Sequence, residues 1–503
     1  MISGRGDGGP PSAGPPTGDA PGELLRAGAR GALWQAMAQI VGKSVVLVAT
    51  VVLARLLAPE EYGLVALALV LVSYAEAIAD AGVAQALIYL PRSRESARAA
   101  SACSLGAGVA LVLLGVLAAP LIGDLFGRPD VKALVRLLSV SLLAAALAAT
   151  PEALLRRDLL FQRLTVATVL RAVVTGGVSV VLAFAGYGAW SIAWGAVAGA
   201  ATYAAAAWLL LPERPDVRFW RSARSDLRAV LGYGAPVASS SLLGRLIFDA
   251  DYLIVGGVLG AEALGYYTLA FRIPELLIIN FFYVLASVTF PLYARARSDP
   301  ERLRRGYLLS IRVQALYGVS AGVGLAVVAS ALVPVIFGDK WTPAVSPLIA
   351  LALYAACRSI GAGANEVYKA LGRPGLAVKL SILRFAILVP ALWFATRWGF
   401  AGVAWAQLCV AAVFLLLMQG LAAHVLELRW RELVVAVAPA LLAGGVVAAV
   451  GLLFASVSLP QTVGLVLTVV AGVVAAGLAI VIAYPALLRE LLGTISRGRD
   501  DAP

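Results

Sequence analysis

Residues 401–424 read AGVAWAQLCVAAVFLLLMQGLAAH, 24 consecutive positions without an Asp, Glu, Lys or Arg. As an α-helix rising about 1.5 Å per residue, such a run spans about 36 Å, enough to cross a hydrocarbon core of about 30 Å. Comparable stretches recur from Leu33 to Tyr484, and the 503-residue chain is 61% hydrophobic and only 14% charged, with a mean hydropathy of +0.90. That balance lies outside the range of soluble domains. Strands of a membrane β-barrel would be about ten residues long and alternate in polarity, a pattern this sequence lacks. The reading is therefore an all-α polytopic membrane protein of about fourteen transmembrane helices. They are expected near 33–54, 62–90, 99–122, 131–150, 164–186, 188–211, 229–257, 262–292, 307–336, 343–371, 379–397, 401–424, 433–456 and 463–485.

The opening MISGRGDGGPPSAGPPTGDAPGE has too few apolar residues to offset the entropy of ordering, so residues 1–30 are expected to be a disordered tail. It lacks the basic start, apolar middle and small-residue cleavage site of a signal peptide, so the first helix is expected to remain in the mature chain. Cys103, Cys357 and Cys409 all fall in apolar segments, and no disulfide framework, metal-spacing motif or cofactor motif emerges. The formal charge of +12 does not imply nucleic acid, because no soluble basic face exists to bind it.

The charge instead reports topology, since Lys and Arg near the ends of short loops resist translocation. The N-terminal tail, the connections after even-numbered helices and the C-terminal tail hold 26 of the 40 basic residues, including five in the connection from Pro212 to Arg228. The opposite connections hold five: Arg55, Arg128, Lys132, Lys340 and Arg397. Both termini are accordingly expected to be cytoplasmic, in a bacterial inner membrane.

At an offset of 202, LAPEEYGLVALA from Leu57 aligns with LGAEALGYYTLA from Leu259, matching Leu57/Leu259, Glu60/Glu262, Gly63/Gly265, Leu67/Leu269 and Ala68/Ala270, and placing Lys43 on Arg245. Six helices precede the second copy, so both copies enter the membrane in the same direction, a parallel repeat. This predicts two pseudo-symmetric six-helix lobes, 31–225 and 226–428, with two appended helices and a cytoplasmic tail in 429–503.

Several segments then resemble one family. They are LARLLAPEEYG from Leu53, DAGVAQALI from Asp80, PEALLRRDLLFQRL from Pro151, ALGYYTLAFRIPELL from Ala263, FPLYARARSDPERLRR from Phe290, FGDKWTPAV from Phe337, ALGRP from Ala370 and WGFAGVAWA from Trp398. In this order and spacing they resemble the Wzx-type polysaccharide transporter flippases, relatives of the lipid II flippase and of the multidrug and toxin exporters. The resemblance implies a V-shaped pair of lobes around a central cavity that moves an undecaprenyl-diphosphate-linked oligosaccharide between leaflets by alternating access. It also implies membrane lipids as surroundings and a glycan polymerase or glycosyltransferases as partners. It carries no catalytic motif, and with His424 as the single histidine no triad or histidine metal site can be assembled, so the chain is read as a non-enzyme.

Nine basic residues lie inside the expected helices. A charge at mid-membrane costs about 2.5–3.5 kcal/mol on insertion scales, so each needs a partner or a wet cavity. Arg136, Arg312 and Arg384 lie near helix ends and are read as snorkelling anchors; Arg171 is intermediate. Lys43, Arg245, Arg272 and Arg358 are deep and are expected to converge on one central cavity, joined by Asn365 and Lys369, which share a helical face with Arg358. Arg offers a bidentate fork and Lys a point charge to a diphosphate. Asn280, Gln85, Tyr252 and Tyr283 are candidate partners for glycan hydroxyls. The bland alternative pairs Arg245 with Asp249 and Arg272 with Glu275 as internal salt bridges, at spacings of four and three. Asp80, Asp249, Asp251, Glu275 and Glu366 are candidates for coupling or charge balance. Glu76 and Asp80 either bind a coupling cation or face the cytoplasmic half of the cavity.

Three rivals remain. A multidrug exporter of related fold would carry an acidic cavity for cationic cargo. A glycan polymerase or ligase would need catalytic groups in a sizeable outer loop, and the outer loops here are short. A non-transport component of a glycan-assembly complex would not need deep cations.

Overall fold

The computed structural model describes residues 41–79, 93–125, 129–212, 225–232, 248–457 and 460–485, with isolated positions between these runs, among them Trp34, Val83, Leu87, Arg245 and Leu246. Every regular element among the described residues is helical. The first lobe holds α1 (41–56), α2 (Pro59–Ala79), α3 (Arg94–Leu125), α4 (Pro129–Arg157), α5 (Phe161–Phe184) and α6 (Ala189–Leu209). The second begins with α7, described over Ala250–Ile254 and continued by a π-helical turn, Val255–Leu259. It continues with α8, which runs from Gly260–Pro274 through a second π-helical turn, Glu275–Ile279, into Asn280–Ala296. After it come α9 (Pro300–Phe337), α10 (Val345–Ala370), α11 (Pro374–Ala395), α12 (Gly399–Val425), α13 (Trp430–Ala455) and α14 (Gln461–Ala483). Among the described residues these fourteen helices match the expected count, with a further helical run, 225–232, preceding α7. Ten described stretches are long and apolar enough to cross a membrane, and one of these, Gly375–Val425, contains both α11 and α12.

Local chemistry sets the boundaries. Pro59, Pro129, Pro300 and Pro374 open their helices, where a missing N–H costs nothing and φ is pre-set. Asp299 caps α9 by accepting the Arg302 N–H at 3.0 Å. Gly260, at φ +88°, turns α7 into α8. Several helices outrun the apolar stretches that announced them: α9 starts at Pro300 rather than 307, and α3 at Arg94 rather than 99. Hydropathy registers only the part of a helix within the hydrocarbon, whereas a cap starts the helix in the polar zone. In α9 the extra turns let Arg304 bond the Glu432 carboxylate at the head of α13, at 3.1 and 3.2 Å.

In the first lobe α3, α4, α5 and α6 pack in neighbouring pairs; in the second α9, α10 and α12 do the same. Helices α13 and α14 attach to the second lobe through α9 and expose long rows of Val and Leu on their other faces. The largest buried cluster sits at the junction of the lobes, where Leu57, Tyr62 and Leu67 meet Tyr267, Phe271 and Trp341. Here α2 crosses α8 backbone to backbone. A methyl on Gly63 would collide with the Ala261 carbonyl and the Gly265 nitrogen; one on Gly265 would collide with the Pro59 carbonyl and lie 3.3 Å from the Gly63 nitrogen. The offset of 202 maps Gly63 onto Gly265 and Pro59 onto Ala261, so the contact is reciprocal, as a pseudo-two-fold axis requires. Glycine at both positions permits the approach.

Candidate functional site

A cavity of about 740 Å³ lies between the lobes. Lys43 enters it from α1, Glu76 from α2 and Arg171 from α5. From the other lobe come Arg245, Asp249 and Tyr252 around α7, with Arg272 and Glu275 from α8. Lys43 and Arg245, equivalent by the repeat, thus face one space from opposite sides. Arg272 donates to the Glu275 carboxylate at 3.1 Å, with both side chains partly accessible. Glu275 opens the second π-helical turn, directly after Pro274, and the Asn280 side-chain amide donates to its carbonyl at 2.7 Å. A π-helical turn inserts a residue into the helical register and re-aims the side chains beyond it.

The cavity also holds groups that the sequence did not assign to it. Arg171 lines it, with its guanidinium 5.6 Å from the Tyr203 ring centroid. Thr50, Thr168, Thr175 and Ser179 add hydroxyls. Intramembrane Ser and Thr ordinarily bond a preceding carbonyl, as Thr168 does to Leu164 at 2.8 Å, so sequence carries no signal that they also face a cavity. With Glu76 and Asp249 in the lining as well, the cavity is closer to charge balance than the deep cations alone suggest.

The expectation that Arg358 and Asn365 join the central cavity needs correcting. Both line a separate cavity of about 170 Å³ within the second lobe, together with Glu366 and Arg384. The Arg358 guanidinium sits 5.7 Å from the centroid of Phe248, and Phe248 is itself part of the central cavity wall. An aromatic ring therefore stands where continuity was expected. Lys369 lines neither of these cavities; it is exposed and bonds Glu366 at 2.9 Å. Because α11 starts at Pro374 rather than 379, Arg384 lies at the middle of that helix and donates to the Tyr354 hydroxyl at 3.3 Å, so the expectation of an anchor near a helix end needs correcting. Asp251 is buried, accepting the Tyr267 hydroxyl at 2.7 Å and the Tyr252 N–H at 3.0 Å, and it is absent from the central lining. Asp80, Gln85 and residues 1–30 lie outside the described residues, as does the side chain of Tyr283.

At one end of the central cavity the lobes are latched. Trp341 is fully buried and donates its indole N–H to the Ala54 carbonyl at 2.7 Å, with its ring edge-on to Tyr62 and Tyr266. The Lys340 ammonium donates to the carbonyls of Arg55 and Leu57 at 2.9 and 2.8 Å. Arg55 returns bonds to the carbonyls of Ile336, at 2.7 Å, and Val335. These contacts join the end of α1 and the α1–α2 connection of one lobe to the end of α9 and the α9–α10 connection of the other.

Two six-helix lobes about a pseudo-two-fold axis, a cavity between them lined by charged side chains of both, and a latch at one end define a two-lobed membrane transporter. The match of the polysaccharide biosynthesis protein family to residues 52–346 makes it specific: the chain belongs to that family, the Wzx-type polysaccharide exporters. It is similar to the lipopolysaccharide biosynthesis protein WzxC of Escherichia coli (strain K12), 25% identical over 369 residues, covering 72% of this chain and 74% of WzxC. The teichuronic acid biosynthesis protein TuaB of Bacillus subtilis (strain 168) is 26% identical over 334 residues, covering 64% of this chain and 67% of TuaB. Among solved structures, the lipid II flippase MurJ in an inward closed conformation superposes with a TM-score of 0.69, at 15% identity, over 92% of this chain and 100% of that one. An inward-facing multidrug resistance MATE family transporter gives 0.63, at 18% identity, over 76% of this chain and 94% of that one.

Proposed function

We propose that this protein moves an undecaprenyl-diphosphate-linked oligosaccharide from the cytoplasmic to the outer leaflet of a bacterial inner membrane, through the central cavity, by alternating access of the two lobes. The observation that carries this reading is the gathering of Lys43, Arg171, Arg245 and Arg272 from both lobes around one cavity, in a chain of the polysaccharide biosynthesis family. Four cations held at intramembrane depth are costly to insert, and a diphosphate is a ligand that makes use of them. Hydroxyls of Thr50, Thr168 and Thr175 offer the glycan hydrogen bonds. Glu275 holds Arg272 in place, while Glu76 and Asp249 balance charge between transport steps.

The basic-residue asymmetry supports an orientation with both termini cytoplasmic. In that orientation the latch around Trp341 and Lys340 closes the outer end and the cavity is loaded from inside. A glycan polymerase or glycosyltransferases would work beside it on the same lipid-linked glycan.

The test replaces Lys43 and Arg272 by Gln in a cell that depends on this protein for surface glycan. Lipid-linked glycan is expected to accumulate on the cytoplasmic side at normal protein levels. Wild-type surface glycan in the K43Q/R272Q double variant would overturn the reading.

A further inference from the structure

The second π-helical turn, Glu275–Ile279, reads ELLII, and nothing in those five residues calls for an irregular helix. The first, Val255–Leu259, contains Gly256 and Gly257, which tolerate an unusual backbone. Glu and Leu are good α-helix formers, so the turn in α8 has to be held by residues outside it. Two side chains do this. The Asn280 amide donates to the Glu275 carbonyl at 2.7 Å, and the Tyr317 hydroxyl, from α9, donates to the Leu277 carbonyl. The Tyr317 ring also lies against Phe281, with centroids 4.2 Å apart, so α9 grips α8 both within the turn and just beyond it. Asn280, Leu277 and Tyr317 stand outside the lining of the central cavity, so these bonds serve the backbone.

A π-helical turn carries one residue more than the α-helix it interrupts, and losing that surplus would rotate one half of α8 against the other by about 100°. Both halves are anchored. The first is pinned where Gly265 meets Gly63 and where Tyr267 and Phe271 are buried; the second buries Phe282 in the same cluster and packs Tyr293 beside Tyr307. Between these anchors the residues next to the turn must absorb the difference, and on its first side they are Arg272 and Glu275, the pair that lines the cavity.

We infer that Asn280 and Tyr317 are positioning residues: by holding the π-helical turn they aim the Arg272 guanidinium and its Glu275 partner into the central cavity. The consequence for transport rests on the reading of Arg272 as a contact to the cargo diphosphate. The placement of Arg272 does not.

The placement is tested without cargo, in the purified full-length protein with Cys103, Cys357 and Cys409 replaced and R272C introduced, using a small, charged, water-soluble thiol reagent as probe. Y317F keeps the ring against Phe281 and N280L keeps the volume, while each removes one bond. Each should lower the ratio of irregular to regular turn about fivefold, the scale of one neutral hydrogen bond. Together they are expected to slow labelling at position 272 about fivefold or more, while a cysteine introduced as T50C, on α1, reacts as before. A general loosening of the fold would change labelling at both positions and would count against the inference. Y317F alone, the milder change, carries the test if the combined variant does not fold, with labelling slowed at position 272 only. In cells, the export defect of N280L/Y317F should not add to that of R272Q, because both act through one guanidinium. Defects that multiply would overturn the inference, as would equal labelling at position 272 with and without the two changes. Wild-type export in R272Q, with labelling slowed as expected, would remove the cargo reading and leave the positioning in place.

Discussion

Arg272 and Glu275 make the clearest case for separating binding from folding. They bond at 3.1 Å one turn apart, and either substitution by Gln breaks the same ion pair. If the pair only steadied α8, R272Q and E275Q would lower surface glycan alike. If Arg272 meets an anionic cargo, R272Q loses about tenfold or more of export per unit of membrane protein while E275Q, which keeps the cation, retains most of it; R272K lies between because charge survives and the fork does not. Surface glycan normalised to protein level checks this. Lys43, Arg245 and Arg272 stood out in the sequence because each interrupts a run of apolar residues, and all three line the central cavity. Which way a side chain points was legible only in part. Distance from a helix end misjudged Arg384, whose partner Tyr354 lies on a different helix. Spacing alone could not show that Phe248 separates Arg358 from the central cavity. Asp251 looked available for coupling, but Tyr267, sixteen residues on, takes its carboxylate.

At the scale of elements, the crossing of α2 over α8 and the latch hold one arrangement of the lobes. G63A would drive a methyl into the Ala261 carbonyl, which cannot yield as a side chain would, and is expected to cost about 1–3 kcal/mol in this arrangement. Its unfolding midpoint should fall, and G265A, the repeat-related change, should behave the same way; a neutral result at both would mean the helices do not cross so closely. The latch makes a different prediction. K340Q loses an ammonium that bonds two carbonyls, worth about 1 kcal/mol each, so the ratio of latched to unlatched protein should fall about tenfold or more. With Cys103, Cys357 and Cys409 replaced, a cysteine at Thr50 in the cavity wall should become labelled by an impermeant reagent from outside the cell in K340Q and remain protected without that change. The five identities of the repeat were readable in the sequence, and they fall on this crossing. The π-helical turns at 255–259 and 275–279 were not, because a periodicity of 3.6 residues assumes an uninterrupted helix.

At the scale of the whole molecule, fourteen helices and two related lobes followed from hydropathy and the repeat, since a bilayer admits few ways to bury backbone polar groups. Orientation rests on basic residues alone, and it predicts that a cysteine placed at Ser222, in the connection between α6 and α7, is labelled only from the cytoplasmic side. Labelling only from outside would invert the latch, the cavity and the direction of transport together. The most direct measurement compares cargo in vesicles containing the purified protein, using one oligosaccharide attached through a diphosphate to a polyprenyl chain, or through a neutral linkage to the same chain. The wild-type protein is expected to translocate the diphosphate-linked lipid about tenfold faster or more than the neutral one, and K43Q/R272Q to abolish that preference. Equal rates for the two lipids, or an unchanged preference in the double variant, would contradict transport of a diphosphate-linked glycan through the cavity that Lys43 and Arg272 line.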